Sequence, residues 1–371
     1  MHESAPLFTR ISQPVSIPAE VTGHGIFVSV MINGQGPFHM LIDTGCTCTM
    51  ISPEVAAAVE ARGADTEDGG VQAVNAFGNS LSLPRVLLES VTLGGVQFEG
   101  VAAGIVPLEA LSKIDSRELD GLLGYTLFSD LFFALDFPNQ EVVLSNGWPA
   151  NLAPVRAELT IKESSDVPFI PVSIQGRDVE VMVDTGATDR IHLPPDSVAS
   201  LDWKVAPRPG LLIAVAGEIG REQIGRLNGA LEMGGLRQLE PIVEISEGTP
   251  SIGVGLLHSF CLVFDESQDK LRFCSAESGP VPSPSERTVG LNMIADPAGW
   301  RVLATIPNSP AEQAAITNGD LVTRIEGRPA RTWTRDQIQS WVDGHETLSL
   351  RLVSGAAGER DVSLRVWSLV P

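Results

Sequence analysis

Apolar residues come along this chain in runs of four to six, rich in Val, Ile, Leu and Phe, and the runs are separated by Gly-containing turns such as Phe77-Gly78-Asn79 and Ala216-Gly217-Glu218. Runs of strand length punctuated this often predict sheets with few helices. The best helical stretch in the first two thirds is 53–62, Ala-rich, with Pro53 at its start and Gly63 just past its end. Two segments read as connections: Asn146-Gly147-Trp148-Pro149-Ala150, and a richer one over 277–286 beginning Glu277-Ser278-Gly279-Pro280. The Pro, Ser and Gly content of the second predicts an exposed linker and a separable unit after it.

The pattern repeats at an offset of about 141 residues. One copy runs Asn33-Gly34, Met40-Leu41-Ile42-Asp43-Thr44-Gly45, Leu93-Gly94-Gly95-Val96, Leu122-Leu123-Gly124 and Phe133-Ala134-Leu135-Asp136. The other runs Gln175-Gly176, Val181-Met182-Val183-Asp184-Thr185-Gly186, Met233-Gly234-Gly235-Leu236, Gly253-Val254-Gly255 and Leu262-Val263-Phe264-Asp265. From the Asp, the paired glycines begin 51 and 50 residues on, and the later Gly124 and Gly255 lie 81 and 71 residues on. The copies are collinear with one shortened loop. This divides the chain into units at 17–150, 151–276 and 287–371, joined by the 277–286 linker.

Composition narrows the function. With 371 residues the chain can bury two or three cores. Its 46 acidic against 25 basic residues leave a net charge of −21, and only four of the basic residues are Lys, so nucleic acid and anionic lipid are poor partners for this acidic protein. No apolar run approaches the roughly 18 residues of a membrane-spanning helix. The first twenty residues carry Pro6, Pro14 and Pro18 and no apolar core, so no signal peptide is read. Met1 as the native start predicts a cytoplasmic protein; removal of a leader predicts a periplasmic or secreted one. The four cysteines, Cys46 with Cys48 and Cys261 with Cys274, lack zinc or redox C-x-x-C spacing, and neither a metal nor a cofactor is predicted. Cys261 and Cys274 flank a hairpin and are either bridged or buried free thiols.

An Asp-Thr-Gly triplet arises by chance at roughly 0.1 per chain of this length. Here Asp43-Thr44-Gly45 and Asp184-Thr185-Gly186 fall at matching repeat positions. One reading is a strand ending in a turn, with Asp and Thr bonding locally. That reading leaves unexplained why both copies set a bare acid after three apolar residues, where an unpaired carboxylate is costly. Paired about a pseudo-two-fold axis, Asp43 and Asp184 would meet and hold one proton between them. The charged member could then take a proton from a water while the neutral member donates to an amide carbonyl, with no covalent intermediate. Thr44 and Thr185 would bond across the interface, and Gly45 and Gly186 would admit backbone N–H groups to the carboxylates.

On these residues, with Asn33-Gly34-Gln35-Gly36-Pro37-Phe38 leading into the first triplet, the region from about 20 to 275 resembles a retropepsin-like aspartic peptidase with both lobes in one chain. The resemblance implies tandem β-barrel lobes forming a bilobal, mostly β enzyme that hydrolyses peptide bonds and needs no second copy of the chain. It also implies that Gly124 and Gly255 pack beneath the catalytic loops, and it makes Gly253 a departure, a larger apolar residue being usual there. Cys46 is another departure, since Ala or Ser usually follows that Gly; a thiol so near the dyad predicts redox sensitivity. The segments 74–81 and 213–224, with Ala76, Phe77 and Gly78 in one and Ala216 and Gly217 in the other, are candidate flaps or ordinary surface hairpins.

From Thr288 the sequence resembles a PDZ domain of the bacterial protease-associated kind. The residues that carry this are Gly290-Leu291-Asn292-Met293, Pro307-Asn308-Ser309-Pro310-Ala311, Asn318-Gly319-Asp320-Leu321-Val322 and Ile325-Glu326-Gly327-Arg328-Pro329. A short helix over 310–316 is started by Ser309. The resemblance implies β structure with short helices and a peptide ligand added to a sheet edge, with Gly290, Leu291, Asn292 and Met293 receiving its carboxylate. Asn292 stands where Gly is frequent. The six histidines form no metal motif, and His192 reads as a core or loop residue. The function expected is an aspartic endopeptidase whose C-terminal unit positions protein substrates. The alternative is a silent scaffold that uses the cleft and that unit only to bind peptides.

Overall fold

The computed structural model describes residues 7–8, 11–63, 71–74, 80–115, 117–162, 166–215, 218–355 and 358–371. The chain is mostly β, 52% strand and 13% helix. Among the described residues no helix is long and apolar enough to cross a membrane.

Two nine-stranded sheets share one path through their centres. The first runs Val96–Ile105, Thr49–Ile51, Gly121–Gly124, Gln35–Asp43, Gly25–Ile32, Arg85–Leu93. The second runs Ile242–Ile245, Ile191–Leu193, Ser251–Ile252, Arg177–Val183, Phe169–Ile174, Ala230–Met233. Strand sense agrees at every step: parallel, antiparallel, parallel, then antiparallel twice. Local chemistry repeats too. Asn33-Gly34 and Gln175-Gly176 have φ of 50° and 76°, and 52° and 76°, the left-handed pair that a tight hairpin requires.

A six-stranded sheet joins the halves, in the order Val155–Thr160, Lys270–Cys274, Cys261–Asp265, Phe132–Asp136, Glu141–Ser145, Val15–Pro18. Its central pair is antiparallel, with Ala134 opposite Val263. Every residue of Cys261–Asp265 is buried, and so is all of Phe132–Asp136 except Phe132. The rings of Phe128, Phe133 and Phe264 stack through this region, and Tyr125 meets Phe264 edge-on. Cys261 and Cys274 lie opposite each other and are buried free thiols.

The early helix is shorter than its composition suggests, Pro53–Ala58, capped by Ser52 Oγ accepting from Val55 N–H. Glu60 at φ 50° turns the chain, and Arg62 already belongs to the strand Arg62–Gly63. The later helix likewise stops early, at Pro310–Gln313, under its Ser309 cap.

The linker expected over 277–286 is exposed along most of its length, as expected, but it is tied at its middle to the second nine-stranded sheet. Val281 is buried and bridges to Gln238, Gln238 donates to Pro282 O at 2.7 Å, and Arg226 donates to Ser283 O and Pro284 O at 3.1 and 3.0 Å. Pro and Gly content signals an irregular backbone; here sheet-edge carbonyls and Arg226 satisfy that backbone. Beyond it, the sheet Leu291–Asp296, Gly299–Thr305, Leu321–Ile325, Thr347–Ser354, Gly358–Arg365 encloses its own core with the helix Arg335–Gly344. This unit is also fastened to the sheets before it. Ile306, Leu369 and Val370 form a buried cluster with Ile224 and Ile242. On another side Arg117 pairs with Glu20 and, at 3.2 Å, with Asp336, which also accepts from Gly23 N–H. His24, enclosed there, is pushed down to about 4 by burial and by Arg335.

The C-terminal unit is therefore predicted to contribute to the stability of the whole chain. Leu369→Ala, which opens a cavity in the shared cluster, should lower the unfolding free energy by about 2–5 kcal/mol in denaturant titration. An unchanged midpoint would mean the cluster is not closed in solution.

Candidate active site

Each Asp-Thr-Gly triplet leaves the end of a central strand, where the parallel neighbour holds it in register. In the first sheet Gly124 lies opposite Asp43. In the second, Val183 lies opposite Ile252 and Asp184 N–H donates to Ile252 O at 2.9 Å, so the residue opposite Asp184 is Gly253. A Cβ on Gly124 would stand 2.5 Å from Cys48 O; on Gly253, 2.6 Å from the carbonyls of Ala187 and Asp189. Tyr125 N–H donates to Cys46 O and Val254 N–H to Ala187 O, both at 2.8 Å. The counterpart of Gly124 is thus Gly253, and its smallness is required rather than anomalous. Gly255 is a second close approach, 2.9 Å from Thr188 O. The spacing from Asp43 to Gly124 is 81 residues and from Asp184 to Gly253 is 69, so the loop shortened in the second copy has lost more than the 71-residue spacing to Gly255 implied.

The two triplets meet. Thr44 Oγ1 donates to Val183 O at 2.6 Å and accepts from Thr185 N–H at 3.1 Å; Thr185 Oγ1 donates to Ile42 O at 2.7 Å and accepts from Thr44 N–H at 3.1 Å. Both threonines are fully buried. Asp43 Oδ1 accepts from Gly45 N–H at 3.0 Å, and Asp184 Oδ1 from Gly186 and Ala187 N–H at 2.9 and 3.2 Å. The carboxyl of each aspartate rests on the glycine of the other triplet. A Cβ on Gly45 would stand 2.5 Å from Asp184 Oδ2, and one on Gly186 would stand 2.7 Å from Asp43 Oδ1. The side chains are hydrogen-bonded to one another. Both carboxyls are raised above the ordinary aspartate range, first by burial. The Asp184 charge and hydrogen bond push Asp43 further. Backbone N–H donors partly offset the rise on Asp184. Two carboxyls so placed oppose each other's ionisation.

Residues 28–127 match a family model described as aspartyl protease. No curated protein matches the chain. The matched segment contains the Asp43 triplet and Gly124 within a mostly β fold, which is consistent with an aspartyl protease and supports a peptidase hydrolase.

The remaining sequence candidates fall elsewhere. Ala76, Phe77, Gly78, Ala216 and Gly217 lie outside the described residues; the strands that lead to them, Val71–Val74 with Ser80–Leu83 and Trp203–Val215 with Glu218–Leu227, are antiparallel pairs. Gly290, at φ 83°, is a turn, but Leu291, Asn292 and Met293 are buried and open the edge strand Leu291–Asp296 rather than forming a loop. Arg335 donates to Met293 O, and the helix Glu109–Asp115 lies against this strand. His192 is a core residue: it bonds Thr249 O through Nδ1 at 2.9 Å and Ser246 through Nε2.

One feature escaped the sequence reading, a carboxylate group beside the second triplet. Arg190 pairs with Glu244 at 3.3 Å and with Glu286 at 2.8 Å, and Glu222 and Asp189 complete the cluster. Burial is the first cause of a rise in Glu222, Asp189 and Glu244, the last pushed up to about 8 with Arg190 opposing the shift. The four acids come from four separate segments, so no local motif announces them.

Two outcomes follow. Thr185→Val keeps the volume but leaves Ile42 O and Thr44 N–H without partners in a closed interface; it should cost about 1–3 kcal/mol for each unpaired group, and Thr185→Ser should restore most of it in denaturant titration. For Glu244 the folded state keeps a proton that the unfolded chain releases near its ordinary value of 4.5. Its contribution is therefore fully present below that value and fades as pH rises toward 8. Glu244→Gln should flatten the fall in melting temperature between those limits, whereas a wild-type slope would remove Glu244 from the cluster's titration.

Proposed function

We propose that the chain is an aspartic endopeptidase in which Asp43 and Asp184, one from each of two retropepsin-like lobes, form a catalytic dyad. The observation that carries this reading is the reciprocal seating of each carboxyl on the other triplet's glycine, with the two hydrogen-bonded to each other. The shared strand path and the six-stranded sheet between the halves support tandem lobes. The match over 28–127 supports the chemistry.

In this mechanism Asp184, which accepts two N–H bonds, is the anion and takes a proton from a water lying between the carboxyls. Asp43, kept protonated by burial and by the charge beside it, donates to the carbonyl oxygen of the substrate amide. Water oxygen bonds to the carbonyl carbon and a tetrahedral diol forms. Its collapse breaks the C–N bond as the amine takes up the proton from Asp184, and Asp43 recovers its own from a diol hydroxyl. One chain supplies both carboxyls, so a monomer is the active unit. The C-terminal unit suits peptide docking through the edge of Leu291–Asp296. A peptide added there must displace the helix Glu109–Asp115.

Digestion of a complex peptide library, read by mass spectrometry, tests the proposal. The wild-type monomer should produce new termini, and Asp43→Asn or Asp184→Asn should reduce the rate by about 10³-fold or more with folding retained. Activity should follow a bell in pH. The acid limb marks protonation of the anion, and the alkaline limb marks loss of the shared proton above the ordinary aspartate range. Peptides bound but never cut would favour the scaffold reading, and full turnover by either folded variant would remove the dyad.

A further inference from the structure

Directly after Gly45 the chain reads Cys46-Thr47-Cys48, and the fold does not require either sulfur. In the second copy the same turn is built with Ala187 and Asp189, and Ala187 makes the same bond to the strand below, accepting from Val254 N–H as Cys46 O accepts from Tyr125 N–H. What the first copy adds is a pair of thiols two residues apart on one turn. Cys46 Sγ donates to Cys48 O at 3.0 Å, and the two side chains are within hydrogen-bonding reach. Both cysteines are free and half-buried. Their backbone is fixed on every side: Cys46 N–H donates to Asp43 O at 3.2 Å, Thr126 Oγ1 donates to Thr47 O at 2.5 Å, and Cys48 rests on Gly124.

We propose that Cys46 and Cys48 are a reversible redox site, oxidised by peroxides to a disulfide that reshapes the loop holding Asp43. The two thiols are not equivalent. The Cys48 thiol is lowered, first by its contact with the Cys46 side chain, while Cys46 is raised by that same contact and by burial, so Cys48 ionises more readily and is the attacking sulfur. Cys48 sulfur attacks one peroxide oxygen, the O–O bond breaks, and water leaves once the second oxygen takes a proton; Cys48 is now a sulfenic acid. Cys46 sulfur attacks the Cys48 sulfur, the S–O bond breaks, the Cys46 proton leaves with the hydroxyl as a second water, and the S–S bond forms. A dithiol reductant returns both thiols. The bond from Cys46 Sγ to Cys48 O is lost on oxidation, and the turn that carries Cys46 N–H against Asp43 O must adjust. The other pair behaves differently: Cys261 and Cys274 are fully buried, and both thiols are raised by burial, Cys274 to about 11.

The effect on cleavage rests on the dyad assignment; formation of the bond does not. Full-length protein treated with stoichiometric hydrogen peroxide should lose two hydrogens, with the link placed by peptide mapping between Cys46 and Cys48. Cys46→Ala, which copies Ala187, should not form it and should stop at a trappable sulfenic acid on Cys48. Peptide cleavage by the wild type should fall several-fold on oxidation and return with dithiothreitol, while Cys46→Ala should cleave like the reduced protein before treatment and should not recover a disulfide. A disulfide formed in a protein that cleaves nothing in either state would keep the redox site and reject the peptidase reading. Cleavage with no disulfide, or a bond mapped to Cys261 and Cys274 instead, would overturn the redox site.

Discussion

Four hydrogen bonds cross between the triplet loops, Thr44 and Thr185 each giving two and accepting one, and the placement of the two aspartates depends on them. A carboxyl buried against another carboxyl is held at a cost in free energy, because desolvation and like charge both oppose ionisation. The cost is met by the closed set of bonds around it. Each threonine hydroxyl bonds a carbonyl one residue before the opposite aspartate, so a shift of either strand end would break two bonds and leave buried polar atoms unpaired. Gly45 and Gly186 complete the constraint from the other side, since any side chain there would occupy the space of the facing carboxyl.

The rest of the molecule keeps that contact aligned. Gly124 and Gly253 let the neighbouring strands press on the backbone of each loop. The six-stranded sheet pairs Phe132–Asp136 with Cys261–Asp265 and thereby fixes the two halves relative to each other over a span that is apolar except for the aspartate at the end of each strand. Fastening of the C-terminal unit through Arg190 with Glu286 ties its placement to the segment just after the second triplet, and through Arg117 with Asp336 to the segment just before the strand Gly121–Gly124. Charge is used sparingly there: one partly buried arginine serves several carboxylates, so part of the negative charge must be neutralised by protons.

Much of this was legible in the sequence because the repeat is encoded locally. Asp43 and Asp184 announce themselves as triplets, and Asn33-Gly34 and Gln175-Gly176 announce the hairpins that lead to them. Gly253 was harder. Two glycines, Gly253 and Gly255, lie one residue apart, and only the register of Ser251–Ile252 against the Asp184 strand decides between them. The helix Arg335–Gly344 carries a readable signal in the capping box of Thr334 with Gln337, followed by Ile338 and Val342 on one face. The segment 277–286 shows the limit of composition. Its prolines and serines describe an irregular backbone truthfully, but burial of Val281 depends on Arg226 and Gln238, residues some forty or more positions away. The acidic cluster around Arg190 is hidden for the same reason.

Binding of a peptide that carries a secondary alcohol in place of the scissile amide tests the dyad most directly, since such a group resembles the tetrahedral diol and needs both carboxyls in one protonation state. Calorimetric titration of the monomer should give one site per chain, with affinity at least about 10²-fold above that of the matching uncut amide, and Asp184→Asn should remove that advantage. Equal affinity for alcohol and amide in the wild type, or an advantage that survives in the folded variant, would contradict the account.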